Sequence, residues 1–75
     1  MTFQEMVAEE LATAREHFPA FHSAHEGYAV IAEEVDELWD WVKQKEGRRC
    51  KGDAIDECVQ IAAMAQRFAE DLLKE

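Results

Sequence analysis

The chain has 75 residues, enough for one domain with a modest core and little stability to spare. It is 48% hydrophobic, which excludes a disordered acidic tail, and no apolar run approaches the ~18 residues of a membrane span. A net charge of −9 excludes a broad surface for a nucleic acid polymer, which needs clustered positive charge, but not a nucleotide held through metal ions.

The sequence predicts an all-α fold: a short first helix followed by a long antiparallel pair. Thr2 caps the first helix, and Glu5 three residues on completes a capping box. Phe3, Met6, Val7, Leu11 and Ala14 recur at helical spacing. The helix stops near His17, because Pro19 disfavours helical geometry at Phe18. The opening stretch is acidic and amphipathic, unlike a secretory signal, so a cytoplasmic protein is expected. Cys50 and Cys58 match no metal or redox spacing and read as free thiols.

Ser23 and Glu26 predict a second capping box, opening a helix that runs to about Lys45 with Gly47 as its C-cap. Asp53 is the expected cap of the third helix, which reaches the C-terminus through Ile55, Val59, Ala62, Ala65, Phe68, Ala69 and Leu72. Gly27 is the one glycine expected inside a helix. Five of the eight basic residues, Lys43, Lys45, Arg48, Arg49 and Lys51, crowd into the second connection.

The second helix carries the informative anomaly. Placed on a wheel at ~100° per residue with Ile31 at zero, its apolar residues cover about 180°, from Val30 at about 260° to Trp39 at about 80°. Glu33, Asp36 and Asp40 fall on the opposite, solvated face. Glu34 falls at about 300°, between Leu38 and Trp41, and Glu37 at about 240°, at the border. An uncompensated charge is costly there. The two are three residues apart and repel, unless a cation lies between them, one takes up a proton, or loop lysines or water hold them. A hard divalent cation prefers such oxygens. On the third helix Glu57 falls between Met64 and Phe68, so in an antiparallel pair it faces Glu34 and Glu37.

These residues resemble a known pattern. Glu33-Glu34-Val35-Asp36-Glu37-Leu38 is similar to the E-E-x-x-E-L motif of the MazG-like all-α nucleoside triphosphate pyrophosphohydrolases. Asp56-Glu57-Cys58-Val59-Gln60 stands where that superfamily has E-x-x-D. The likeness spans residues 22–72, and the stretch is similar to a short phage and bacterial group. It implies one MazG-like domain over residues 1–75, a nucleotide substrate, and cleavage of its α–β phosphoanhydride to monophosphate and pyrophosphate. It further implies Mg²⁺, with Mn²⁺ as an alternative, on Glu34, Glu37, Glu57 and Gln60, Gln60 replacing the usual aspartate. A carboxylate beside the metal, Glu34 or Glu37, would orient or deprotonate the attacking water. Lys43, Arg48, Arg49 and Lys51 would contact phosphate oxygens, their alternative role being C-capping and solubility. Tyr28, Trp39 and Trp41 would stack on a base or form core or subunit interface.

Gln60 also favours a second reading, a nucleotide-binding, metal-binding or helical interaction module that has lost turnover. The wide apolar arcs predict a homodimer or higher homo-oligomer, completing a four-helix bundle from two copies of helices two and three. The MazG-like resemblance implies the same pairing. His22, His25 and Glu26 are spaced for a transition metal, but His25 lies on the exposed face. Glu10, at the edge of the first helix's apolar sector, is a weak substrate or ion-pair contact.

Overall fold

The structure, a computed structural model, describes residues 1–73. Among them are three α-helices, α1 (Phe3–His17), α2 (Ala24–Lys43) and α3 (Lys51–Phe68), with no strand. A 3₁₀ turn over Glu46–Arg48 interrupts the second connection, and a π-helical turn over Ala69–Leu73 continues α3. The expected extension of the third helix over residues 74–75 lies outside the described residues.

Opposite pairs along α2 and α3 set their orientation. Gly27 lies against Phe68, Glu34 against Gln60, Glu37 beside Glu57, and Trp41 reaches Cys50. The numbers fall on one helix as they rise on the other, so the pair is antiparallel. α3 is the central element: it packs against both α1 and α2, which scarcely touch each other. The core is Val7, Leu11 and Ala14 from α1, Phe21 from the first connection, and Val59, Ala63 and Met64 from α3. The Cα trace measures 45 × 28 × 19 Å, and a helix with its side chains is ~10 Å across, so the molecule is a thin slab.

The helix ends correct several expectations. The Thr2–Glu5 capping box is present, with both reciprocal hydrogen bonds (3.1 and 2.8 Å). The Ser23–Glu26 box is only half formed. Ser23 Oγ accepts from the Glu26 amide at 3.1 Å, but Glu26 Oε1 accepts from the His22 amide at 2.8 Å. The buried Phe21 ring and the hydrogen bond its amide donates to Asp71 fix the approach of the chain to this cap. α2 ends at Lys43, not Lys45, and Gly47 is not its cap. Arg49 Nε donates to the Gln44 carbonyl at 3.1 Å, and Trp41 Nε1 donates to the Cys50 carbonyl at 2.8 Å. Side chains thus perform the closure that a left-handed glycine performs elsewhere, and no glycine has a positive φ.

α3 starts at Lys51 with Cys50 in the capping position. Asp53 sits inside the first turn, where its charge complements the helix dipole, and Gly52 is a second helical glycine beside Gly27. The inward face of α3 is also rotated from the expected one. Ile55, Ala65 and Ala69 are exposed, whereas Ala63, Met64 and Arg67 are buried, because α3 is covered from two sides rather than one.

Gly27 is where α2 comes closest to its neighbours. A Cβ there would lie 2.5 Å from Phe68 Cδ2 and 3.2 Å from Phe21 Cδ2. Only a residue without a side chain permits this approach. Arg67, 5% exposed, closes the same end. Its guanidinium stacks 4.1 Å above Phe21, donates to the Pro19 carbonyl at 2.5 Å and lies 3.7 Å from Asp71. Asp71 also accepts from Arg15 (2.8 Å) and from the Phe21 amide (3.1 Å), which holds its carboxyl below the ordinary aspartate range against the opposing effect of burial. A buried arginine inside an alanine-rich face was not legible from periodicity.

Candidate metal centre

The broad apolar arc of α2 divides in two. Val30, Ile31, Leu38 and Trp41 turn inward and are half-buried, while Tyr28, Val35, Trp39 and Val42 remain exposed. Glu34, between Leu38 and Trp41 on the helical wheel, lies at the middle of the inward half. The helix therefore aims one carboxylate at α3.

Glu57 comes from α3 to meet it. One carboxylate oxygen from each of Glu34, Glu37 and Glu57 lies within 4.8 Å of the others. Glu34 and Glu57 are half-buried and Glu37 is exposed, so the group opens to solvent on one side. Burial, then the charges of Glu37 and Glu57, push the Glu34 carboxyl up to about 7. Burial and contact with Glu37 likewise raise Glu57, and Glu57 Oε2 is buried without a hydrogen-bond partner. Like charges in a partly desolvated place favour uptake of a proton or a cation.

Gln60 completes the fourth position. Its amide, set with the nitrogen toward Glu34, donates to both Glu34 oxygens at 3.1 and 3.0 Å. It therefore faces the cluster as a donor to Glu34. Asp53 and Asp56 are exposed and outside the cluster, although the Asp56 charge contributes to raising Glu57.

The residues present fit a hard divalent ion. Three carboxylates converge, one oxygen is buried and orphaned, and the donor set is all oxygen. Glu34, Glu37 and Glu57 would hold it, with the Gln60 carbonyl available after a turn of the amide.

The basic connection is engaged locally. Lys43 pairs with Asp40 (3.2 Å) and lies 5.9 Å from the Trp39 ring centre. Arg49 stacks 5.2 Å from the Trp41 ring and caps α2. Arg48 and Lys51 are exposed. Trp41 is tied to Cys50, while Tyr28 and Trp39 stand in solvent at 71% and 56% exposure. His22 and Glu26 approach to 3.6 Å on the surface, and no metal cluster there accompanies the acidic one among the described residues.

A cleft has no counterpart in the residue pattern. Because α1 and α2 both lean on α3 but not on each other, about 530 Å³ opens between them. Glu10, Thr13 and His17 line one wall, Val30 and Glu33 the other, and Met64 and Arg67 the floor. Glu33, expected only to face water, stands at this cleft. Glu34 and Gln60 belong to both the cleft and the acidic cluster.

Comparison with protein-family models, curated proteins and solved structures finds no match for this chain. No helix of the described residues is long and apolar enough to cross a membrane.

Proposed function

We propose that this chain is a divalent-metal-dependent nucleotide pyrophosphohydrolase of the MazG-like kind. The carrying observation is the convergence of Glu34, Glu37 and Glu57 within 4.8 Å, with the buried Glu57 Oε2 left without a partner. A triphosphate is strongly anionic, and an acidic site attracts it only through a cation. Mg²⁺, or Mn²⁺, bound there supplies charge neutralisation at the phosphorus under attack. Glu34, whose carboxyl stands at about 7 without the metal, would give up its proton as the cation binds, and exposed Glu37 is open to an incoming water. Of the basic residues, Arg48 and Lys51 are the freer to reach phosphate oxygens, since Lys43 and Arg49 are engaged with Asp40, Trp39, Trp41 and Gln44.

A specific observation favours a second reading. The Gln60 amide donates to Glu34 where an aspartate would add a ligand, which favours a metal-binding or nucleotide-binding module with little or no turnover. Incubation with a panel of triphosphates, with and without Mg²⁺, separates the two. Release of monophosphate and pyrophosphate supports the enzyme. Mg²⁺ binding by calorimetry without product supports the module, and neither result removes both.

The working unit we propose is a two-fold dimer that closes a four-helix bundle. Tyr28, Val35, Trp39 and Val42 form one exposed apolar stripe along α2 on a slab 19 Å thick. Pairing α2 and α3 with a second copy removes that stripe from water. Sedimentation equilibrium over a dilution series tests it. A compact monomer at micromolar concentration, with unchanged tryptophan emission, excludes the dimer.

A further inference from the structure

The cleft between α1 and α2 presents hydrogen-bond acceptors at regular helical spacing. Glu10, Thr13 and His17 lie on one face of α1 at positions i, i+3 and i+7, and all three line the cavity. The hydroxyl proton of Thr13 is committed to the Glu9 carbonyl at 3.1 Å, which leaves its oxygen as an acceptor. His17 Nδ1 lies 2.9 Å from the Thr13 carbonyl, which can only accept. The proton of a neutral His17 ring is therefore on Nδ1, and Nε2 is an acceptor. Glu10 adds a half-buried carboxylate, and Glu33 an exposed one across the cleft.

Most donors in the lining are turned away from the cavity, and Arg67 Nε, buried without a hydrogen-bond partner, lies 3.7 Å from Asp71. The Gln60 amide points to Glu34, and the Arg67 guanidinium is held by Pro19, Phe21 and Asp71. Between these polar edges the surface is apolar. Ala14 leaves space on α1, Val30 faces it, and Met64 floors it. About 530 Å³ is ample for a flat heterocycle and lies within the usual range for small-molecule sites. A ligand that fits must be flat, apolar on its faces and rich in hydrogen-bond donors on its edge.

We propose that this cleft selects a nucleobase carrying an exocyclic amine, read by Glu10, Thr13 and His17 on α1. The proposal rests on the nucleotide reading above, because Glu34 and Gln60 join the cleft to the acidic cluster. A base in the cleft thus directs the phosphates of the same molecule toward Glu34, Glu37 and Glu57. An amine offers two N–H donors to a wall of acceptors. Uracil and thymine offer that wall a single N3–H donor flanked by two carbonyl oxygens, so acceptors face acceptors on either side of it.

The experiment is calorimetric titration at pH 8 in Mg²⁺ with the α,β-methylene triphosphate analogues of guanosine, adenosine, cytidine and uridine. These cannot be cleaved at the α–β bond. The amine-bearing three should bind ten- to a hundredfold more tightly than the uridine analogue, the usual range for losing hydrogen bonds to a charged group. Glu10→Gln and His17→Phe should each erode that preference about tenfold or more, with Mg²⁺ affinity and melting temperature unchanged. Equal affinity for all four analogues overturns the base selection, even if turnover is seen. Selective binding with no pyrophosphate released from any ordinary triphosphate keeps the base selection and removes the hydrolase. Binding of Mg²⁺ with no nucleotide binding overturns both.

Discussion

Gln60 donates to both oxygens of Glu34, at 3.1 and 3.0 Å, across the α2–α3 interface. The amide quiets one of three crowded carboxylates without adding a negative charge. Gln60→Asp removes the donor and adds a fourth acid. The metal-free protein should lose about 1 kcal/mol at pH 8, while Mg²⁺ binds about tenfold tighter. Urea unfolding with and without Mg²⁺, together with calorimetry, gives both numbers. An unchanged Mg²⁺ affinity would show that the ion does not sit beside this residue.

The Glu34 carboxyl predicts a pH profile. Its folded value of about 7 stands above the ordinary 4.5, so between those limits the native state holds the proton more tightly than the unfolded chain. Stability in the absence of metal therefore declines as pH rises from about 4.5 to 7. Asp71 acts oppositely: its lowered value stabilises the fold above the ordinary 3.8, and this is lost as the solution is acidified below that. Stability should peak near pH 5. Glu34→Gln should flatten the neutral limb and gain ~1–2 kcal/mol at pH 8, less than the full shift implies because water screens a half-buried group. Thermal melts from about pH 2 to 9 follow both limbs, and a melting temperature that rises from pH 5 to 8 contradicts the assignment.

Removing Asp71 should be far more damaging than removing its exposed partner. The Asp71 side chain is 5% exposed and serves Arg15, Arg67 and the Phe21 amide, whereas Arg15 is 37% exposed. Asp71→Asn strands a buried guanidinium and should cost ~3 kcal/mol, a large share of the stability of so small a domain. Arg15→Gln should cost under ~1 kcal/mol. Urea midpoints of the two variants decide it, and equal losses would mean that Arg67 does not depend on Asp71.

Gly27 sets how closely α2 can approach the Phe21–Phe68 pair. Gly27→Ala improves helix propensity by about 0.5–1 kcal/mol, yet its Cβ meets Phe68 at 2.5 Å. Overpacking should prevail, for a net loss of ~1–2 kcal/mol. Phe68→Leu in the same chain should recover part of it, read as a coupling energy in a double-mutant cycle. Additive effects would place the two residues out of contact.

Much was legible in the residue pattern because it is local. The spacing of Val7, Leu11 and Ala14, the Thr2–Glu5 box and Pro19 define α1 without reference to the rest of the chain. The Glu34–Glu37 spacing and the position of Glu57 on its helix were enough to anticipate three converging carboxylates, because two antiparallel helices bring their inward stripes together wherever they meet. What periodicity cannot specify is which part of a wide apolar arc a neighbour covers. The broad arc of α2 became an inward half centred on Glu34 and an exposed half from Tyr28 to Val42 only when α3 took its place. The same holds for contacts between residues distant in sequence. Arg67 is buried because the Pro19 carbonyl, the Phe21 ring and Asp71 meet it in space. Arg49 replaces Gly47 as the closure of α2 because Trp41 draws Cys50 across the connection. The cleft beside Glu10 exists because α1 and α2 share α3 as a support without closing on each other, a property of three-helix geometry that no single helix encodes.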